Sequence, residues 1–271
     1  MPQSGSYTFS ANAMATQFSI MVCHNDSRYA EQAATDAFRI LSEIETELSF
    51  FIPNSQVSRI NSASPGETKI INYYCFECLS LALEYSRQTN GAFYPFAGFL
   101  KMKSLVPEIH QASELIELDN EKKSVTIKKT PLGLDLGGIG KGYAVEKIRQ
   151  MLLEWEISDF LISGGKSSVY ANGSHPEYDG WPVAIFDPNQ MNSLIKTIIL
   201  KDMSVGSSGT AKGSHIYNPF TGKVIESKRF TWITGPDAVM TECFSTAAII
   251  LGKERTAELI KRFPGTDFMM L

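Results

Sequence analysis

The chain has 271 residues, of which 43% are hydrophobic and 20% charged, and a formal charge of −4. This balance excludes global disorder, and the 20 glycines and 12 prolines, scattered without period, exclude collagen-like and coiled-coil readings. A weakly acidic chain has no basic footprint for nucleic acid, so an anionic ligand must be held by local groups. The four cysteines Cys23, Cys75, Cys78 and Cys243 are too few for a disulfide scaffold. No run approaches 18 apolar residues, so no membrane span is expected. Nothing at Met1–Ala13 reads as a secretory signal, which points to a cytoplasmic location unless the chain has been trimmed.

Thr16–Cys23 alternates, with Phe18, Ile20 and Val22 on one face, and predicts a half-buried strand. Arg28–Leu48 spaces Ala33, Ala37, Ile40, Leu41, Ile44 and Leu48 as an amphipathic helix does. Phe50–Asn61 reads as irregular around Pro53. A second helix covers about Tyr73–Arg87, with Asn90–Gly91 as its left-handed stop. Cys75 and Cys78 fall inside that helix rather than at its start, so they read as buried structural thiols. Leu115–Lys129 predicts a hairpin turning at Asp119–Asn120. The glycine-rich Leu132–Gly142 then enters a helix at about Tyr143–Trp155. Strands follow at Phe160–Ser163, Ser167–Ala171, Pro182–Phe186, Leu194–Leu200 and Phe230–Thr234, and helices at Ala238–Leu251 and Glu254–Arg262. The mixture predicts an α+β fold of antiparallel sheets and packed helices, forming one unit over residues 1–271.

Four segments bear chemistry. Leu134 to Tyr143 places Gly137, Gly138, Gly140 and Gly142 before a helix, with Lys141 among them. Glycines let backbone N–H groups approach an anion, and a helix start favours negative charge. The spacing is neither a Walker loop nor a dinucleotide fingerprint, and a tight strand-to-helix turn explains it equally. Ser204 to Thr210, with His215 to Gly222 behind it, reads as an anion-lined loop or as a plain turn. His215 is suited to moving a proton or holding a phosphate oxygen. Glu242 and Thr246 lie four apart on one helix face, a partial oxygen shell for Mg²⁺ or an ordinary packed pair. Gly164–Gly165 closes a strand and precedes Lys166; it either admits a ligand or makes a bulge.

Taken in order, these segments resemble the ApbE-type flavin transferase family. The resemblance runs from Met14-Ala15-Thr16 through Leu48-Ser49, Ser55 to Asn61, Gly91 to Pro95, Leu134 to Val145, Gly164-Gly165, Ser208-Gly209 and His215 to Gly222, to Thr241–Gly252. It covers about residues 7–265. It implies a single T-fold-related domain that transfers FMN from FAD to a Ser or Thr hydroxyl of a partner protein, with Mg²⁺ and release of AMP. It also implies roles. His215 is catalytic. Met14, Tyr94, Gly138, Lys141, Gly164, Gly165, Lys166, Ser208, Gly209 and His215 face the flavin nucleotide, and Gly140, Glu242 and Thr246 hold the metal. The chain departs from the family's pattern at Glu242, Tyr94, Lys166, Asn218 and Glu146, where Asp, or Asn at the third of these, is usual. Two other readings stand beside the transferase: an FAD pyrophosphatase, and a nucleotide-binding module without turnover.

Overall fold

The computed structural model describes residues 5–100, 111–190, 193–210, 216–226 and 228–271. The elements run β1 (Gly5–Ala13), β2 (Thr16–His24), α1 (Ser27–Leu48), α2 (Gln56–Asn61), β3 (Thr68–Ile70) and α3 (Tyr73–Gln88). A 3₁₀ turn at Ala97–Leu100 precedes α4 (Ala112–Leu115), β4 (Ile116–Asp119), β5 (Ser124–Ile127) and α5 (Gly140–Glu154). Next come β6 (Phe160–Gly164), β7 (Ser168–Asn172), β8 (Trp181–Phe186), β9 (Leu194–Leu200) and β10 (Met203–Gly209). The short β11 (Tyr217–Asn218) and β12 (Lys223–Val224) lead to β13 (Phe230–Gly235), α6 (Ala238–Ile260) and β14 (Asp267–Met270).

Seven of these strands form one antiparallel sheet in the order β1-β2-β6-β7-β10-β13-β14. Helices α1, α5 and α6 lie across one face, and α3 packs behind α1 and α6. Alternation along β2 divides its side chains. Phe18, Ile20 and Val22 enter the main core under the helices, whereas Met21 and Cys23 meet Trp181 and Leu200 of the β8–β9 ribbon. The mixed, antiparallel architecture is the one expected.

Local chemistry sets the ends of the helices. Asp26 caps α1 by accepting from the Arg28 and Tyr29 N–H groups, and Asp237 caps α6 by accepting from Met240 at 2.6 Å. In α6 the run from Ala238 to Ile249 is buried almost all round, as a helix between a sheet and other helices must be. At Gly252 the backbone leaves helical geometry (φ 74°), separating the two helices expected there.

Several elements differ from the sequence reading. Gly5–Ala13 is the edge strand β1, in which Tyr7, Phe9, Ala11 and Ala13 alternate with the exposed Ser6, Thr8, Ser10 and Asn12, a period-2 pattern that the sequence reading passed over. Asp267–Met270 adds β14 at the opposite edge, and Gln56–Asn61 is helical, capped by Ser55. Ser204–Gly209 is not a loop but an inner strand. Its small residues let the backbone lie against α6: a Cβ on Gly206 would sit 2.3 Å from the Thr241 carbonyl carbon.

Two outcomes follow from this packing. Gly206→Ala forces β10 and α6 apart and lowers stability by about 1–3 kcal/mol, the usual cost of overpacking. An unchanged urea midpoint would contradict the contact. Burial pushes the Cys75 thiol up to about 12 and raises Cys78 and Cys243 well above the ordinary value. Thiolate is the reactive form, so native protein leaves these three unalkylated by iodoacetamide at mildly alkaline pH, while unfolded protein labels all three. Rapid native labelling of Cys75 or Cys78 would refute the structural reading of the pair.

Candidate functional site

The first turn of α5 has no side-chain cap at Ile139 and no acidic residue of its own. The Gly140 N–H donates to the Leu136 carbonyl at 2.8 Å, but the Gly142 N–H needs a partner from elsewhere. Glu242, one hundred residues away on α6, supplies it. Oε2 of Glu242 accepts from the Gly142 N–H at 2.5 Å, and Oε1 is bound by the Lys141 ammonium. The Glu242 side chain is 3% exposed and that of Lys141 22%. A carboxylate so buried is stable only when its charge and lone pairs are met, and the helix start and the lysine do both.

Glycine makes this closeness possible. A Cβ on Gly142 would lie 2.3 Å from the Ala238 carbonyl oxygen and 3.0 Å from Glu242 Oε2. The two helices thus cross at backbone contact, and the carboxylate reaches the amide only because no side chain intervenes. Gly140 opens the helix, with Leu48 of α1 beside it.

One turn further along α6, Ser245 and Thr246 meet the end of β10. Ser208 Oγ lies 2.8 Å from Ser245 Oγ and 3.0 Å from Thr246 Oγ1. The fully buried Ser245 donates to the Glu242 carbonyl at 2.8 Å, and Thr231 donates to the Ser245 carbonyl at 2.7 Å. Sequence reasoning did not single out Ser245. Its only signal was a hydroxyl beside Thr246, one turn after Glu242.

Gly138, Gly140 and Lys141 thus lie at the start of α5 with Glu242 against Lys141 and Gly142, and Thr246 meets Ser208 one turn further along α6. Gly138 faces the Phe93 ring, 3.3 Å from where its Cβ would be, which sets Gly91–Pro95 beside the glycine-rich turn. That segment is tied down by the Asp135 N–H donating to the Pro95 carbonyl at 2.7 Å. Tyr94 packs edge-on against Phe96 at 5.8 Å.

Met14, Gly164 and Gly165 occupy hairpin ends. Met14 and Ala15 both take positive φ in the β1–β2 turn, and the Met14 N–H donates to Glu45 Oε1 at 2.6 Å. Gly165 takes φ +67° with Thr16 so close that a Cβ would meet its hydroxyl at 2.4 Å. Gly164 nestles against Phe18 and Val145. The glycine pair is thus required for the turn, whatever else it does. Lys166 is exposed, its carbonyl accepting from Ser207 Oγ at 3.3 Å. The Ser208 hydroxyl, expected to face a nucleotide, is engaged by Ser245 and Thr246, and Gly209 abuts Phe230. His215 lies outside the described residues. In the turn that follows it, Asn218 Oδ1 accepts from the Phe220 N–H at 2.9 Å.

Glu146, on the same helix as Lys141, is held by Arg149 Nε at 2.8 Å, and burial raises its carboxyl above the ordinary value. Among the described residues no cluster of three His, Cys, Asp or Glu could hold a metal. Any cation here would rely on one carboxylate together with hydroxyl and carbonyl oxygens.

The family model described as the ApbE family matches residues 14–270. The chain belongs to the ApbE family. A relative in Treponema pallidum named "FAD:protein FMN transferase" is 23% identical over 280 residues, covering 88% of this chain and 76% of its own. One in Klebsiella pneumoniae with the same name is 21% identical, covering 96% of this chain and 83% of its own. Among solved structures, the flavin transferase ApbE of Vibrio cholerae superposes with TM-score 0.85 at 19% identity, over 98% of this chain and 93% of that one. The ApbE protein of Thermotoga maritima gives 0.82 at 22%, over 98% and 94%. These likenesses establish the ApbE fold. No helix among the described residues is long and apolar enough to cross a membrane.

The Lys141–Glu242 contact is testable by stability alone. Lys141→Met leaves a buried carboxylate with one amide donor. It lowers the unfolding free energy by about 1–3 kcal/mol, less than a fully buried pair because Lys141 is partly solvated. A wild-type urea midpoint in Lys141→Met would contradict the pairing.

Proposed function

We propose that this ApbE-family chain is an FAD:protein FMN transferase, moving FMN from FAD to a Ser or Thr hydroxyl of an acceptor protein and releasing AMP. The observation that carries this reading is the joining of Lys141, the start of α5 and the Glu242 carboxylate at one point. A pyrophosphate needs an ammonium and backbone N–H donors, and a divalent cation shared with it needs hard oxygens. Relatives that bear the transferase name over most of their length support the same reading.

The donor set fits Mg²⁺: a carboxylate at Glu242, a hydroxyl at Thr246 and the Gly140 carbonyl are all hard oxygen ligands. When bound, Mg²⁺ supplies charge neutralisation on the phosphate oxygens and so favours departure of AMP. The remaining work falls to the chain. Lys141 holds and orients the pyrophosphate, and the positive end of α5 adds its favourable field. Met14, Tyr94, Gly138, Gly164, Gly165, Lys166 and Gly209 shape the surrounding nucleotide site, and Ser208 acts there through Thr246. The acceptor oxygen attacks the phosphorus of the FMN half in line, the bond from that phosphorus to the AMP phosphate oxygen breaks, and AMP leaves. His215 takes the proton from the attacking hydroxyl. Glu242 reaches one methylene further than aspartate would, and here it uses that length to touch both Lys141 and Gly142.

The experiment is FAD turnover with an acceptor protein, with and without Mg²⁺. The expected result is AMP release matched one for one by flavin attached to the acceptor. Glu242→Ala lowers the rate by more than the roughly 10–100-fold that loss of a metal ligand's outer partner costs, and Glu242→Asp keeps most of it. AMP release without attachment would replace the transferase by a pyrophosphatase. FAD binding with no AMP under any condition would refute turnover.

A further inference from the structure

We infer that Ser208 and Ser245 are positioning residues that fix the direction in which the Thr246 hydroxyl presents itself, leaving it only lone pairs to offer a cation. The inference rests on the transferase reading for its ligand, Mg²⁺, but its geometry stands independently.

Four oxygens form a chain: Thr246 Oγ1, Ser208 Oγ, Ser245 Oγ and the Glu242 carbonyl, with separations of 3.0, 2.8 and 2.8 Å. Each hydroxyl has one proton to give, and the carbonyl has none. The Glu242 carbonyl can only accept, so the contact at that end requires the Ser245 proton. Were that proton turned to Ser208, two oxygens with only lone pairs between them would face each other at 2.8 Å in a fully buried place. With its proton committed, Ser245 can only accept from Ser208. With its own proton committed, Ser208 can only accept from Thr246. The direction is therefore set by one backbone carbonyl and passed along to Thr246.

Thr246 ends the chain. Its proton points to Ser208, so the side of its oxygen turned away from Ser208 carries lone pairs alone. A hydroxyl in that state is a ready ligand for a hard cation and a poor donor to a phosphate oxygen. The chain starts at the carbonyl of Glu242, the residue whose carboxylate is the other side-chain ligand in the proposed set. One helical turn of α6 thus carries both, the hydroxyl oriented by this chain and the carboxylate by Lys141 and Gly142. β10 contributes through Ser208, which explains why a serine stands at the end of an inner strand otherwise chosen for smallness.

The test measures Mn²⁺ binding, as an EPR-visible stand-in for Mg²⁺, to FAD-free protein, alongside thermal unfolding and the Mg²⁺ dependence of turnover. Ser208→Ala is expected to weaken Mn²⁺ binding by about tenfold, the lower end for residues that orient a metal ligand. The apparent Mg²⁺ KM should rise with little change in kcat at saturating metal. Ser208→Thr, which keeps the hydroxyl, should restore most of the affinity. Ser245→Ala, a small change whose side chain lies one oxygen removed from Thr246, should weaken Mn²⁺ binding severalfold and serves if Ser208→Ala fails to fold. Wild-type Mn²⁺ affinity in both alanine variants, or no Mn²⁺ binding by the wild type at millimolar metal, would overturn the inference. Because metal affinity is read without FAD or acceptor, failure of flavin transfer with an intact Ser208 effect would sink only the transferase reading.

Discussion

A buried carboxylate has to be neutralised, and the end of α5 is organised around doing so for Glu242. Its two oxygens are divided between the Gly142 amide and the Lys141 ammonium, both from the first turn of a helix that has no capping group of its own. The helix start needs an acceptor and the acid needs donors, so each corrects the other's deficit. The cost is tight packing. Gly142 and Gly206 must lack side chains because α5 and β10 both touch the backbone of α6. The same glycines that look like a ligand-binding loop are also what brings the three elements close enough to make a site.

The arrangement gives the site a particular electrostatic character. Glu242 is held by positive partners, and those partners are the groups that would hold a phosphate. A nucleotide and a divalent cation arriving together complement it: the anion suits Lys141 and the α5 start, and the cation suits Glu242. Departures from the family's usual residues fit this picture unevenly. Glu242 is accommodated by its reach to Gly142. Glu146 remains a buried acid paired with Arg149. The exposed Lys166 adds positive charge beside the Gly164–Gly165 turn, and nothing in the structure explains the replacement at Tyr94.

Much of this was legible in the sequence because it follows from periodicity. The helices at Arg28–Leu48 and Tyr73–Arg87, the strand at Leu194–Leu200 and the α+β class emerged from spacing alone. Edge strand β14 did not, since its four residues are too few to show a period, and β1 was passed over although Tyr7, Phe9, Ala11 and Ala13 alternate with Ser6, Thr8, Ser10 and Asn12. The stretch from Ser204 to Gly209 misled for a better reason: serine and glycine favour loops by propensity, yet here they are selected by backbone contact with α6, a tertiary demand that overrides propensity. For the site, Lys141, Glu242 and Thr246 were visible as residue types in context. Their closeness was not, because Lys141 and Glu242 are far apart in sequence. Ser245 was missed because its role is to hold a neighbour, which leaves no motif.

On the proposed function, the pyrophosphate of FAD and a divalent cation meet at Glu242 and the start of α5. Phosphorus NMR of FAD bound to the protein without acceptor, titrated with substoichiometric Mn²⁺, tests it directly. Both phosphorus resonances should broaden sharply in the wild type, and the broadening should largely vanish in Glu242→Ala at equal FAD occupancy. Equal broadening in the two proteins, or bound FAD whose phosphorus signals ignore the metal, would place the cation elsewhere and contradict the account.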